Sequence, residues 1–105
     1  MSYRTLLDNL DATSVTLPYV AEVLLDEMWY PYFVELSVDA VNGTDPAYHW
    51  VLEATRDGGA TWYTLYTNNA SAEETVTDFV NGFRWTLTEM TGMTTFTVSI
   101  YVGGK

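Results

Sequence analysis

Polar and hydrophobic residues alternate with period two over most of this chain. Tyr32, Val34, Leu36, Val38 and Ala40 interleave with Phe33, Glu35, Ser37 and Asp39, and Tyr48, Trp50, Leu52 and Ala54 with His49, Val51 and Glu53. Thr61 to Thr67 is rich in ring and β-branched residues. Phe83, Trp85 and Leu87 then alternate with Arg84, Thr86 and Thr88, and Phe96, Val98, Ile100 and Val102 with Thr95, Thr97, Ser99 and Tyr101. Successive side chains of a strand point to opposite faces, so each run predicts a strand with one buried and one wet face. Asn42-Gly43-Thr44-Asp45-Pro46, Asn68-Asn69-Ala70-Ser71, Asn81-Gly82 and Thr91-Gly92 carry turn chemistry and separate the runs. Between Val15 and Trp29 two patterns compete. Val15, Leu17, Tyr19, Ala21, Val23 and Leu25 alternate as a strand does, whereas Val20, Val23, Leu24 and Met28 behind Pro18 fit a helical stripe. The strand is favoured, because Val and Tyr suit a pleated surface. The prediction is one all-β domain, an antiparallel sandwich or barrel. Residues 1–13 read as an N-terminal arm or short helical turn, and 14–102 as the sandwich core.

Thr55-Arg56-Asp57-Gly58-Gly59-Ala60-Thr61-Trp62 fits Ser/Thr-x-Asp-x-Gly-x-Thr-Trp, the Asp-box hairpin turn, at every position. Asp57 can accept backbone N–H groups, Gly58 and Gly59 supply positive φ, and Trp62 can fold its ring back over the hairpin. Thr55, Asp57, Gly59, Thr61 and Trp62 are therefore structural turn residues, and the motif carries no chemistry of its own.

The 105 residues are enough for one core, and 48% hydrophobic content, with four Trp, eight Tyr and four Phe, supplies it. Fourteen carboxylates against four basic residues give a formal charge of −10, which repels phosphate and argues against nucleic acid as a partner. The same charge favours a basic partner. Without cysteine, disulfides and thiolate metal sites are excluded. The first residues lack the apolar region of a secretory signal, and no apolar run approaches the roughly 18 residues of a membrane-spanning helix, so no membrane role is expected.

Catalytic chemistry finds little support. His49 is the sole histidine and falls on the polar phase of a strand. None of Ser2, Ser14, Ser37, Ser71 and Ser99 lies in a Gly-x-Ser-x-Gly elbow. Two carboxylates could hydrolyse a glycoside, but the sequence nominates no pair. Asp39, Asn42 and Asp45 offer hard oxygen ligands around a loop, yet their spacing reads better as a turn than as a calcium site. No catalytic residue, cofactor or metal is expected.

The aromatic residues remain. Trp50 and Trp85 fall on the inward phase and read as core. Trp29, Tyr30, Tyr32 and Phe33 are too dense to face one way, and Phe33, Tyr63 and Tyr101 fall on the outward phase. Trp29, Tyr30, Phe33, Tyr63 and Tyr101 are thus the candidate contact residues, with the arm around Tyr3 and Leu6 beside them. They suit a protein interface first, a sugar-stacking platform second and an irregular part of the core third.

The order of strands, with the phrase Leu52-Glu53-Ala54-Thr55-Arg56-Asp57-Gly58-Gly59-Ala60-Thr61-Trp62, resembles the small jelly-roll or discoidin-like sandwiches of tailed-phage virions and carbohydrate-binding proteins. The resemblance spans roughly residues 32 to 102 and is specific only at the hairpin. It implies a small antiparallel β-sandwich, jelly-roll-like, and a non-enzymatic structural protein of a tailed-bacteriophage virion, made in the host cytoplasm. Such a protein docks on a capsid or tail surface as a decoration does, with other virion proteins and copies of itself as partners. The alternative it implies is a carbohydrate-binding module, with glycan as the ligand.

Overall fold

The computed structural model describes residues 2–68, 71–76 and 79–104. In chain order these form β1 (Ser2–Asp11), a single 3-10 turn (Ala12–Ser14), β2 (Tyr19–Trp29), β3 (Tyr32–Thr55), β4 (Tyr63–Thr67), β5 (Ser71–Val76) and β6 (Val80–Gly104). The architecture rests on the two long strands. β3 and β6 are antiparallel partners from Tyr32 opposite Gly104 at one end to Thr55 opposite Gly82 at the other. A straight strand of this length would extend about 80 Å. The longest dimension of the molecule is 42 Å, so the ribbon doubles back on itself.

The bend falls where both strands carry glycine. Register shifts lie between Asn42 and Gly43 and between Gly43 and Ala47, opposite Met93 and Thr91. A Cβ on Gly43 would stand 1.8 Å from the Gly92 carbonyl oxygen, and one on Gly92 would stand 2.2 Å from the Thr44 carbonyl oxygen. Only bare backbone allows the strands to cross this closely.

Doubling the ribbon creates two layers, each of four strand segments. The first runs β1, the C-terminal half of β6, the N-terminal half of β3, then β5; the second runs β2, the N-terminal half of β6, the C-terminal half of β3, then β4. With each half of β3 and β6 counted as a strand, the layers read 1-8-3-6 and 2-7-4-5. That order is two interlocked Greek keys, a jelly-roll sandwich, which settles the alternation's sandwich-or-barrel choice as a sandwich and agrees with the fold that the resemblance implies.

The inward phase of each layer fills the space between them. Val34, Leu36, Val98, Ile100 and Val102 from the first layer and Trp50, Leu52, Phe83, Trp85 and Leu87 from the second are all buried in one cluster. Ring contacts tie the layers across it, with Tyr32 and Phe83 centroids 5.5 Å apart and Tyr48 and Phe96 5.0 Å apart. Each fully buried large side chain contributes about 1.5–3 kcal/mol of transfer free energy.

Several expectations need correction. Residues 2–11 are a strand rather than an arm: β1 pairs with β6 from Ser2 opposite Gly104 to Asp11 opposite Thr97, and Leu7 enters the core. Two register shifts, with Asn9 at φ 54, break its alternation and hide it from a period-two reading. The segment from Asn42 to Pro46 does not end a strand, because the whole ribbon bends there while pairing resumes on both sides. β2 takes the strand alternative and β4 begins at Tyr63 rather than Thr61. Of the turn expected at 68–71, Asn69 and Ala70 lie outside the described residues. β5 is a strand that the alternation does not mark.

Candidate functional site

The 55–62 turn joins β3 to β4 and shapes the outer surface of the second layer. Buried Thr55 is its hub: Oγ1 accepts the Gly59 N–H at 3.0 Å, and lies 2.8 Å from Asp57 Oδ1 and 2.7 Å from the Thr61 carbonyl oxygen. Asp57 Oδ1 also accepts the Thr61 N–H at 2.8 Å. That backbone bond, and then the Thr55 hydroxyl, hold the Asp57 carboxyl below its ordinary pKa. Gly58 and Gly59 take φ +71° and +99°. Asn81 Oδ1 accepts the Gly58 N–H at 3.0 Å and ties the turn to the start of β6. Trp62 lies over Arg84, whose guanidinium is 4.3 Å from the ring centroid and bonds Glu53 Oε1 through Nε and Nη2 at 3.1 and 3.0 Å. These residues complete a turn and a surface stack.

The five candidate contact residues have three different fates. Trp29 is core, 1% exposed, with its ring against Phe83 and against the backbone of Gly104. It keeps the parity of Tyr19, Ala21, Val23 and Leu25, the residues of β2 that pack against the core. Tyr63 also corrects the outward reading. It is the cross-strand partner of Ala54, an inward residue, and its hydroxyl is buried while Arg56 stacks 5.1 Å from its ring. Tyr30 is exposed and stacks on Phe79 with centroids 4.4 Å apart and an interplanar angle of 18°. Phe33 and Tyr101 are partly exposed and share the outer face of the first layer. Of the other two, Tyr3 is exposed and Leu6 packs against the core.

The larger exposed apolar surface lies elsewhere, on β2. Val20, Leu24 and Met28 recur at four-residue spacing on this strand and are 49%, 51% and 40% exposed, while Tyr30 and Phe79 at its end are 45% and 52% exposed. β2 pairs with β6 along one edge, and no described strand pairs with its other edge. Glu22, Asp26 and Glu27 are exposed between the apolar residues. Leu24 is held in place: together with a methyl of Thr55 it covers the bare backbone of Gly82, where a Cβ would lie 2.8 Å from each. The strip is therefore continuous with the 55–62 turn. The sequence does not single out Val20 and Leu24 because alternation gives their phase but not whether anything covers it, and Phe79 lies outside every alternating run.

His49 is exposed on β3, with its carbonyl accepting the Thr88 hydroxyl at 3.2 Å. Among the described residues, no group of three His, Asp or Glu side chains is placed to hold a metal, and that includes Asp39 and Asp45. No helix among them is long and apolar enough to cross a membrane. Comparison with known proteins returns no match to any protein-family model, curated protein or solved structure.

Proposed function

We propose that this chain is a non-enzymatic attachment protein of a tailed-bacteriophage virion, docking on a capsid or tail surface in several copies. The observation that carries the reading is the exposed strip of Val20, Leu24, Met28, Tyr30 and Phe79. Apolar side chains gathered on one edge strand of a small domain mark a contact surface. A jelly roll serves viral capsids and lectins among many other roles, so the fold alone chooses nothing and the surface must.

Charge decides what the strip meets. Glu22, Asp26 and Glu27 stand among its apolar residues, and the chain carries −10 overall. Two copies joined through this strip would set carboxylates against carboxylates, which disfavours pairing of like edges. A neutral or basic partner surface suits it better, and copies then sit side by side on that partner. Burial of the apolar residues supplies affinity, and the acids left at the rim aid encounter and orientation.

The reading is tested on particles of the phage that encodes the chain, by quantitative mass spectrometry of purified virions. The chain present in a fixed ratio to the major capsid or tail protein supports it. Its absence from particles, with the protein remaining in the lysate, overturns it.

A further inference from the structure

A second surface, on the opposite layer from the β2 strip, has its own chemistry. Gly103 is the cross-strand partner of both Tyr3 and Phe33. The two rings thus flank a backbone position without a side chain, with their Cα atoms about 10 Å apart. Tyr101, the preceding residue on the same face, pairs with Thr5 on one side and Glu35 on the other. Tyr3 is 65% exposed, and Phe33 and Tyr101 are partly so. Pairing has gathered three rings from the chain's first strand, its third and its last.

The charged groups described beside these rings are carboxylates. Asp8, Glu35 and Asp39 are exposed there. Two hydroxyls donate to them, Tyr101 to Asp8 Oδ1 at 3.0 Å and Ser37 to Asp39 Oδ1 at 2.6 Å, and those of Tyr3 and Thr5 lie exposed alongside. The Tyr101 hydroxyl is held above its ordinary pKa, first by that bond to Asp8 and further by the negative charge of Asp8 and Asp39. Arg56 and Arg84 are stacked on rings in the second layer, and Arg4 donates to the Tyr3 carbonyl.

We propose that this face is a docking surface for a lysine- or arginine-bearing segment of a partner protein, laid across Gly103 between Tyr3 and Phe33. The face offers carboxylates and ring faces, and the donors described on it are uncharged hydroxyls. An ammonium or guanidinium brings donors and positive charge, and both the carboxylates and the ring faces attract it. A neutral sugar could hydrogen-bond there but gains nothing from the charge. A second copy would bring the same carboxylates to the contact. The inference does not rest on the virion reading or on the β2 strip.

The test is an amide-shift NMR titration of the isotope-labelled protein with hexalysine, set beside hexaglutamate and maltohexaose. The expected result is shifts confined to residues 3–8, 33–39 and 99–103 with hexalysine alone, weakening about tenfold at about 0.5 M salt. Tyr3→Ala and Glu35→Gln, both at exposed side chains, keep the thermal midpoint and each weaken the binding by about threefold or more. Four results would each overturn the proposal: no shifts at millimolar hexalysine, shifts spread evenly over the surface, full affinity in both variants, or a response at these residues to maltohexaose instead.

Discussion

At the scale of single residues, the 55–62 turn shows how one buried hydroxyl organises a hairpin. Thr55 Oγ1 meets the Gly59 N–H, the Asp57 carboxylate and the Thr61 carbonyl, so its loss strands several groups at once. Thr55→Val keeps the shape and removes the hydroxyl, and is expected to cost about 1–3 kcal/mol in urea denaturation. Asp57 adds a pH dependence whose sign follows from its lowered pKa. Its folded form prefers to be ionised, so its contribution is present above the ordinary value of 3.8 and is lost as pH falls through the lower folded value. Asp57→Asn should therefore flatten the acid limb of the stability profile, measured as unfolding midpoint against pH. Tyr101 has the opposite sense. Its pKa is raised above 10.0, so the stability it lends is present below that value and lost as pH rises through the folded one. Tyr101→Phe should remove the corresponding part of the alkaline limb.

At the scale of elements, the bent β3–β6 ribbon is the feature that makes a sandwich from a single sheet. It depends on the crossing of Gly43 and Gly92, where a methyl group has no room against backbone. Gly43→Ala is expected to cost about 3 kcal/mol or more and Gly92→Ala a similar amount, read as a large drop in thermal midpoint. Much of this architecture was legible in the sequence. The alternations at 32–40, 48–54, 83–87 and 96–102 lie in the long strands, and their inward residues are the core. The continuity of those strands was not legible. Asn42 to Pro46 has the local chemistry of a hairpin turn, and only its pairing opposite Thr91 and Met93 makes it a bend in a ribbon. Nor was the phase of Tyr63, which pairing with Ala54 sets, whereas Trp29 continues the inward alternation of Tyr19, Ala21, Val23 and Leu25. β5 was hidden because Ser71-Ala72-Glu73-Glu74-Thr75-Val76 has too little apolar character to alternate.

At the scale of the whole molecule, the account turns on which surfaces are left uncovered. Alternation predicts outward positions, but only the assembled sheet shows that Val20 and Leu24 lie on an edge strand whose other edge pairs with no described strand and that Tyr30 and Phe79 stack in the open. Exposed side chains such as these add little to the stability of the isolated domain, so Leu24→Glu with Phe79→Glu should fold with nearly the midpoint of the parent. Leu24 is the more sensitive of the two because it covers Gly82. The pair should instead abolish docking, because each change sets a charge in a contact that buries apolar surface. The measurement that bears most directly on this claim is co-sedimentation of the purified protein with phage particles that lack it. The account predicts that the parent protein binds to saturation at a fixed number of copies per particle and that the folded double variant stays in the supernatant. Failure of the parent to bind, or binding by the double variant at the same level, would contradict it.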